Sequence, residues 1–500
     1  MAFGKTFLIL PSMCCKMRTQ ESYFKALDDG RNVFYKGQRV QNIVTHEVLS
    51  VPVLHAAQLY ELKEKEQLFR YHDPSLGEIS GFFRIPNDSE ALWYRSKIIQ
   101  ESTRRAGGVF NIIQAIGSDA IFASLLVGKQ LAMGGKTEFL KRVTDYLSKV
   151  AREDLALAVA QTDVKGDRSK RPHEQPDPDL YVRVVEERKD GIVVRGAKAH
   201  TTQAAVADEI IFIPSRAMTE ADSDYSLAFA LPANAKGLKM IVRPMIEIEG
   251  FPSRDDAPNA SNHAELETLT ILDDVFVPWE RVFLYRDPKM AGQLANLFAL
   301  YHRFTALSYR TAMADMYVGL ARLAAKYNGI DDVPHIRDDI VDVIMYREVM
   351  YMAARTAAVE CLKVADMALP NPLYTNVGKL YSNAHFHDVV RDVIDVAGGL
   401  VSTLPSTLDY YNQETHEYLE KYLRGSGQFS GEDRFKLMRL VREMVGGPVT
   451  GYMLGGMIHA EGSMAASKIA MYREYDFKRS EELVSKVAGV KYPSHIDRTS

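Results

Sequence analysis

The stretch TDVKGDRSKRPHEQPDPDLYVRVVEERKDGIVVRGAKAHTT, residues 162 to 202, decides how the rest of the chain is read. It opens with Thr162-Asp163-Val164-Lys165-Gly166-Asp167-Arg168, in which charged residues surround one glycine. Glycine permits a tight turn, and Lys and Arg present donors suited to phosphate or carboxylate. It closes with Gly196-Ala197-Lys198-Ala199-His200-Thr201-Thr202, directly after the alternating run Gly191-Ile192-Val193-Val194-Arg195. An imidazole and two hydroxyls are thereby expected at the end of a β-strand.

Composition shifts on either side of this stretch. Upstream, Val53, Ala56, Ala57 and Tyr60 recur at helical spacing, and Phe110 to Leu126 is apolar nearly all round, as in a buried helix. From about Ala160, short β-branched runs such as Ile210-Ile211-Phe212-Ile213-Pro214 and Met240-Ile241-Val242-Arg243-Pro244 end in proline. Helical periodicity returns after Pro288, with helices predicted over 290–327, 334–368, 376–398, 431–446 and 449–475. The first of these stops at Asn328-Gly329, a C-terminal cap signal. Helices, then strands, then helices is an α+β arrangement. The expected division is an N-terminal helical domain over 17–155, a central β-domain over 156–286 and a C-terminal helical domain over 287–500. Residues 1–16 are read as a disordered extension or as the product of an upstream start codon.

The chain has 500 residues, 46% hydrophobic and 25% charged, with a formal charge of −4. That balance argues against nucleic acid as a partner, which calls for a basic face. No apolar run reaches the roughly 18 residues of a membrane span. Three cysteines, Cys14, Cys15 and Cys361, cannot make a disulfide framework, so a reducing, cytoplasmic setting is expected. A GxGxxG fingerprint is absent.

Taken together, TD-x-KGDR and GIVVRGAKAH resemble the flavoprotein family that includes 4-hydroxyphenylacetate 3-monooxygenase and 4-hydroxybutyryl-CoA dehydratase. Ala397-Gly398-Gly399-Leu400-Val401-Ser402-Thr403-Leu404-Pro405-Ser406 and Leu272-Asp273-Asp274-Val275-Phe276-Val277-Pro278-Trp279-Glu280-Arg281-Val282 match two further phrases of that family, in the expected order. The resemblance implies an acyl-CoA dehydrogenase-like fold, a homotetramer, and FAD bound through Thr162, Lys165, Arg168, Thr202, Gly398 and Gly399.

The dehydratase branch also holds a four-iron cluster on three cysteines and one histidine. Asn111, Ala115 and Tyr285 stand at the apparent ligand positions here, so no iron–sulfur cluster and no other metal is expected. The hydroxylase branch departs as well, since Arg-x-Pro-Asp-Tyr is replaced by Ala115-Ile116-Gly117-Ser118-Asp119-Ala120 and no histidine occurs in 151–168. Candidates for catalysis are His200, His302 in the phrase Tyr301-His302-Arg303, and Tyr285, with His200 and Tyr285 expected around one pocket. Arg104 and Arg105 are candidates for binding an anionic substrate. The leading expectation is a monooxygenase acting on a phenolic small molecule with FADH2 from a separate flavin reductase. A cluster-free acyl-CoA isomerase or dehydratase-like enzyme, and a non-catalytic flavoprotein, are the alternatives.

Overall fold

A computed structural model describes residues 17–247, 250–251 and 253–491. The extension expected over 1–16, with Cys14 and Cys15, lies outside the described residues. The N-terminal part carries α1 (Gln20–Ala26), the hairpin β1 (Val33–Tyr35) and β2 (Gln38–Arg39), α2 (Ser50–Lys65), the hairpin β3 (Arg70–Asp73) and β4 (Gly77–Ser80), then α3 (Ser89–Arg105), α4 (Ala115–Met133) and α5 (Thr137–Arg152). Helix α3 starts where the Asp88 side chain accepts from the amide of Ala91, satisfying a donor that the first turn leaves free. The apolar run expected as one helix from Phe110 becomes helical only at Ala115. Gly107 and Gly108, both at positive φ, turn the chain beforehand and leave Val109 to Gln114 as a non-helical buried loop.

The middle of the chain folds into two sheets. Their remaining strands are β5 (Leu157–Ala160), β6 (Arg183–Arg188), β7 (Gly191–Lys198), β8 (Glu209–Phe212), β9 (Leu227–Pro232), β10 (Leu238–Pro244), β11 (Leu266–Pro278) and β12 (Val282–Tyr285). The larger sheet has the order β2-β1-β10-β11-β7-β6, so the early hairpin joins the central sheet through a parallel pairing of β1 with β10. The smaller sheet has the order β12-β9-β8-β5. Its strand β8 is buried throughout, and Phe212 stacks on Phe229 of β9 with centroids 4.8 Å apart.

The C-terminal part is a helical bundle built on α6 (Pro288–Asn328), α7 (Pro334–Val359) and α8 (Pro372–Ala397). Helix α6 is capped by Asp287, begins with a proline whose missing N–H costs nothing there, and ends at Gly329 with φ 69°. Two predicted helices are interrupted. The last residues of the helix expected over 334–368 form a hairpin, β13 (Leu362–Val364) and β14 (Met367–Leu369), turned by Ala365 at φ 54°. After the short helices α9 (Leu400–Thr403), α10 (Thr407–Tyr410) and α11 (His416–Tyr422) comes α12 (Gly431–Gly446). The span expected as one helix over 449–475 divides into α13 (Pro448–His459) and α14 (Met464–Glu474). Glu461 and Gly462, at φ 57° and 96°, break it, and this break feeds the site described next. A last helix, α15 (Lys478–Ala488), follows, and among the described residues no helix is long and apolar enough to cross a membrane.

Candidate functional site

The two turns that flank residues 162–202 lie side by side. Lys198, at the end of β7, is buried; its ammonium pairs with Asp163 at 2.8 Å and donates to the carbonyls of Gln161 and Ile213 at 2.9 and 3.0 Å. The amide of Ala199 donates to the carbonyl of Thr162 at 2.8 Å, and the Ser215 hydroxyl donates to Asp163 at 2.7 Å. Gly196 is required in β7, because a Cβ there would sit 2.6 Å from the carbonyl oxygen of Tyr181. Lys165 follows in a left-handed conformation, half-buried, with its pKa pushed down by burial and by the charges of Arg168 and Arg216. Arg168 itself is exposed. The turn therefore presents three cations, of which Arg216 carried no sequence signal.

Beyond β7, His200 and Gln203 both adopt positive φ, 58° and 59°, and swing the chain alongside β11. The amides of Thr201 and Gln203 donate to the carbonyls of Thr268 and Leu266. His200 is exposed at this corner. Its neighbours point inward: the Thr201 hydroxyl and both side-chain atoms of Gln203 are buried without a partner among the described residues. Thr202 donates its hydroxyl to Glu267 of β11 at 2.9 Å, and Tyr452 of α13 donates to the same carboxyl at 3.0 Å. Burial raises the pKa of Glu267 to about 7. Glu265, on the same face two residues earlier, is pushed well above the ordinary carboxylate range by burial and by the neighbouring charges of Glu267 and Glu461.

Glu461 faces this pair from the helical domain. Its carboxyl takes hydrogen bonds from Arg310 at 2.6 Å and from the Tyr309 hydroxyl at 2.7 Å, both on α6. Arg303 donates to the Glu461 carbonyl at 2.9 Å, and Lys379 of α8 donates to the Gly462 carbonyl at 2.7 Å. Burial works to raise the Glu461 pKa, but Arg310, His302 and Lys379 outweigh it and hold the carboxyl below its usual value. Burial also brings the Lys379 ammonium down to about 7. His302 lies one turn from Phe298, on which it stacks at 5.3 Å, and its Nδ1 is 3.3 Å from Asp119. Asp119 in turn pairs with Arg95 at 2.6 Å and accepts from Thr305 at 3.0 Å. Thr202 and His302 thus stand on the two sides of one seam, lined by acid and base groups of opposite bias.

Other residues singled out by sequence lie elsewhere. Tyr285 donates to Glu187 at 2.6 Å on the outer surface, with Arg286 against the same carboxylate. Glu187 pairs with Ile192 near the start of β7, whereas His200 lies past its end, about 26 Å further along an extended chain. The two do not share a pocket. Nor does Tyr285 stand with Asn111 and Ala115, which lie beside and at the start of α4. Arg104 and Arg105 are on the outer face of α3, paired with Asp315 at 2.6 Å and Glu101 at 2.8 Å, so no anion pocket forms around them. Gly398 ends α8 at φ 76°; no neighbour comes within 4 Å of a Cβ at Gly398 or Gly399. Glu265, Glu267, Lys379 and Glu461 were missed, and the one legible hint was Glu461-Gly462-Ser463 interrupting a helical pattern.

The described family 4-hydroxyphenylacetate 3-hydroxylase matches by its N-terminal part over residues 19–284 and by its C-terminal part over 291–489. The chain is 30% identical over 497 residues to 4-hydroxybutyryl-CoA dehydratase/vinylacetyl-CoA-Δ-isomerase of Clostridium aminobutyricum, covering 95% of this chain and 100% of that protein. It is also 30% identical over 441 residues to the oxygenase component of 4-hydroxyphenylacetate 3-monooxygenase of Thermus thermophilus, covering 85% and 88%. An oxygen-tolerant archaeal 4-hydroxybutyryl-CoA dehydratase from N. maritimus superimposes with a TM-score of 0.91 at 30% identity, covering 97% of each chain. An oxygenase component of 4-hydroxyphenylacetate 3-monooxygenase complexed with FAD gives 0.86 at 26% identity, covering 94% and 98%. The architecture is the acyl-CoA dehydrogenase-like α+β fold of these relatives.

Proposed function

Because the chain belongs to the 4-hydroxyphenylacetate 3-hydroxylase family, we propose that it is an FAD-dependent enzyme that relocates a proton on a small acyl thioester. One observation carries this reading: Glu267 and Glu461, each near enough to Glu265 to act on it, sit in environments that drive their proton affinities apart. Paired titratable groups biased in opposite directions are the mark of an acid and a base working together. The resemblance to the dehydratase/isomerase over the whole chain supports the thioester as substrate class.

The residues present fit a flavin. Lys165, Arg168 and Arg216 suit a pyrophosphate, and the buried unpartnered polar atoms of Thr201 and Gln203 are donors and acceptors for a polar ring edge. Thr162, Lys165, Arg168, Thr202, Gly398 and Gly399 would hold it, the glycines beside the adenosine half. Bound FAD supplies an electron acceptor and donor beside the substrate. The chain's own groups do the proton work. The Glu461 carboxylate, kept ionised chiefly by Arg310, takes a proton from the carbon next to the thioester carbonyl. Protonated Glu267, positioned by Thr202 and Tyr452, gives one to the γ-carbon. The double bond moves from β,γ to α,β with no net change in oxidation state. Once product leaves, Glu461 gives its proton to solvent and Glu267 takes one from it, which resets the site. Tyr309 and the Phe110 ring stacked on it at 4.5 Å keep water from the base.

A second reading, phenol hydroxylation with FADH2 delivered by a separate reductase, is favoured by the oxygenase relatives and by the FAD complex among them. One pair of assays separates the two. Vinylacetyl-CoA with protein and FAD in D2O should give crotonyl-CoA carrying deuterium at the γ-carbon. A panel of para-substituted phenols with FAD, NADH, a flavin reductase and ¹⁸O₂ should give no labelled catechol. Labelled catechol without thioester turnover would replace the first reading by the second.

A further inference from the structure

Beside the same seam lie four buried hydrogen-bond acceptors that have no donor among the described residues. His55 of α2 gives its Nε2 proton to the Phe110 carbonyl at 3.1 Å, which leaves Nδ1 as a bare lone pair. Asn111 spends its amide nitrogen on the carbonyls of His55 and Ala56 at 2.7 and 3.4 Å, which leaves Oδ1. Gln58, one turn along α2 from His55, sets Nε2 against Nδ1 of His263 at 3.2 Å, which leaves Oε1. These three atoms, and Oε1 of Glu265, are buried without a partner among the described residues. His55 and Asn111 are 0% and 1% exposed, so bulk solvent does not reach them directly. Burial brings His55 down to about 4 and lowers His263 as well, so both rings are neutral near pH 7.

These groups adjoin the carboxyls. The His55 ring packs edge-on to His263 at 6.0 Å, and Glu265 follows His263 by two residues. On the other side, Phe110 precedes Asn111 and stacks on Tyr309, whose hydroxyl holds Glu461. Each unpartnered buried acceptor costs about 1–3 kcal/mol, so a complementary ligand gains by supplying donors. A hydroxyl brings one donor. A water brings two. A primary ammonium brings three donors and no acceptor, and it neutralises a buried carboxylate.

We propose that this corner is a subsite for a protonated primary amine on the substrate, with Glu265 as counter-ion and His55 Nδ1, Gln58 Oε1 and Asn111 Oδ1 as neutral acceptors. The inference rests on the seam being the substrate site and is independent of the thioester. It is tested by calorimetric titration of the full chain, with FAD added, against two matched pairs: 4-aminobutyryl-CoA with butyryl-CoA, and tyramine with 4-ethylphenol. The ammonium member of a pair should bind about tenfold or more tightly. Asn111→Leu and Gln58→Leu should erase most of that preference while the folded protein keeps its FAD content. Equal affinity within both pairs, no binding by any of the four, or a preference kept in both variants would overturn it. Equal, tight binding of the two thioesters, with tyramine no tighter than 4-ethylphenol, would sink the amine subsite and leave the thioester reading standing. A preference confined to tyramine would do the reverse.

Discussion

Glu461 meets Arg310 at 2.6 Å although the two are 151 residues apart, and the contact exists because Glu461 adopts a left-handed φ of 57° between two helices. A non-glycine residue in that conformation is held by its surroundings. Here Arg303, Lys379 and Tyr309 supply the hold. Glu461→Gln keeps the shape and removes the charge. Turnover of the folded protein should fall by about 10²–10⁴-fold, as for loss of a positioned base, with stability lowered by about 3–5 kcal/mol because buried Arg310 loses its counter-charge. Activity of Glu461→Gln equal to that of the parent would take Glu461 out of the chemistry.

Stability should carry the signature of Glu267. Its folded pKa, about 7, lies above the ordinary value of 4.5, because burial penalises the charged form. The folded state therefore binds the proton more tightly than the unfolded state does. The resulting stabilisation is complete below about pH 4.5 and is lost as pH rises through 7, by up to about 3 kcal/mol. Glu267→Gln removes that slope, so denaturant melts of the two proteins should diverge between pH 5 and 8, with the variant the more stable at the upper end. Parallel pH profiles would contradict the assignment.

Arg168 is exposed and the turn that carries it is built without its side chain. Arg168→Ala should therefore leave the fold intact and weaken FAD binding by about 10- to 100-fold, the loss of one charge-assisted hydrogen bond. Fluorescence titration of the flavin reads this directly, and unaltered affinity would remove the turn from the cofactor site.

Lys198→Met strands Asp163 in the core without its cation. A cost of about 3–5 kcal/mol is expected, with part of it recovered in the Lys198→Met/Asp163→Leu double variant, since removing both leaves no buried charge unpaired. Chemical denaturation of the three proteins checks the cycle.

Tyr285→Phe serves as the contrast. Its hydroxyl bonds Glu187 on the outer surface, so both FAD affinity and turnover should match the parent protein, and stability should change by no more than about 0.5 kcal/mol. A drop in turnover would restore Tyr285 to the site.

Local chemistry was legible in the chain itself. The helical period and the Asn328-Gly329 stop predicted α6 to within two residues at either end, and the turn phrases around residues 162 and 200 pointed to the family and to one wall of the seam. Such features are set by neighbours a few residues away, which is why periodicity and capping reveal them. The opposing wall was not legible. Glu267 sits in an alternating strand where a glutamate reads as solvent-facing, and its carboxyl takes hydrogen bonds from Tyr452, 185 residues away, and Thr202, 65 residues away. Tyr285 was misplaced for the same reason, because strand order put β12 at the edge of the smaller sheet and His200 past the far end of β7. The charge state of a carboxyl depends on desolvation and on charges brought near it by packing, so the sequence by itself determined the family, the run of α6 and the two turns around residues 162 and 200. Which groups face one another across the domains, and with which proton affinity, was decided by the tertiary structure alone.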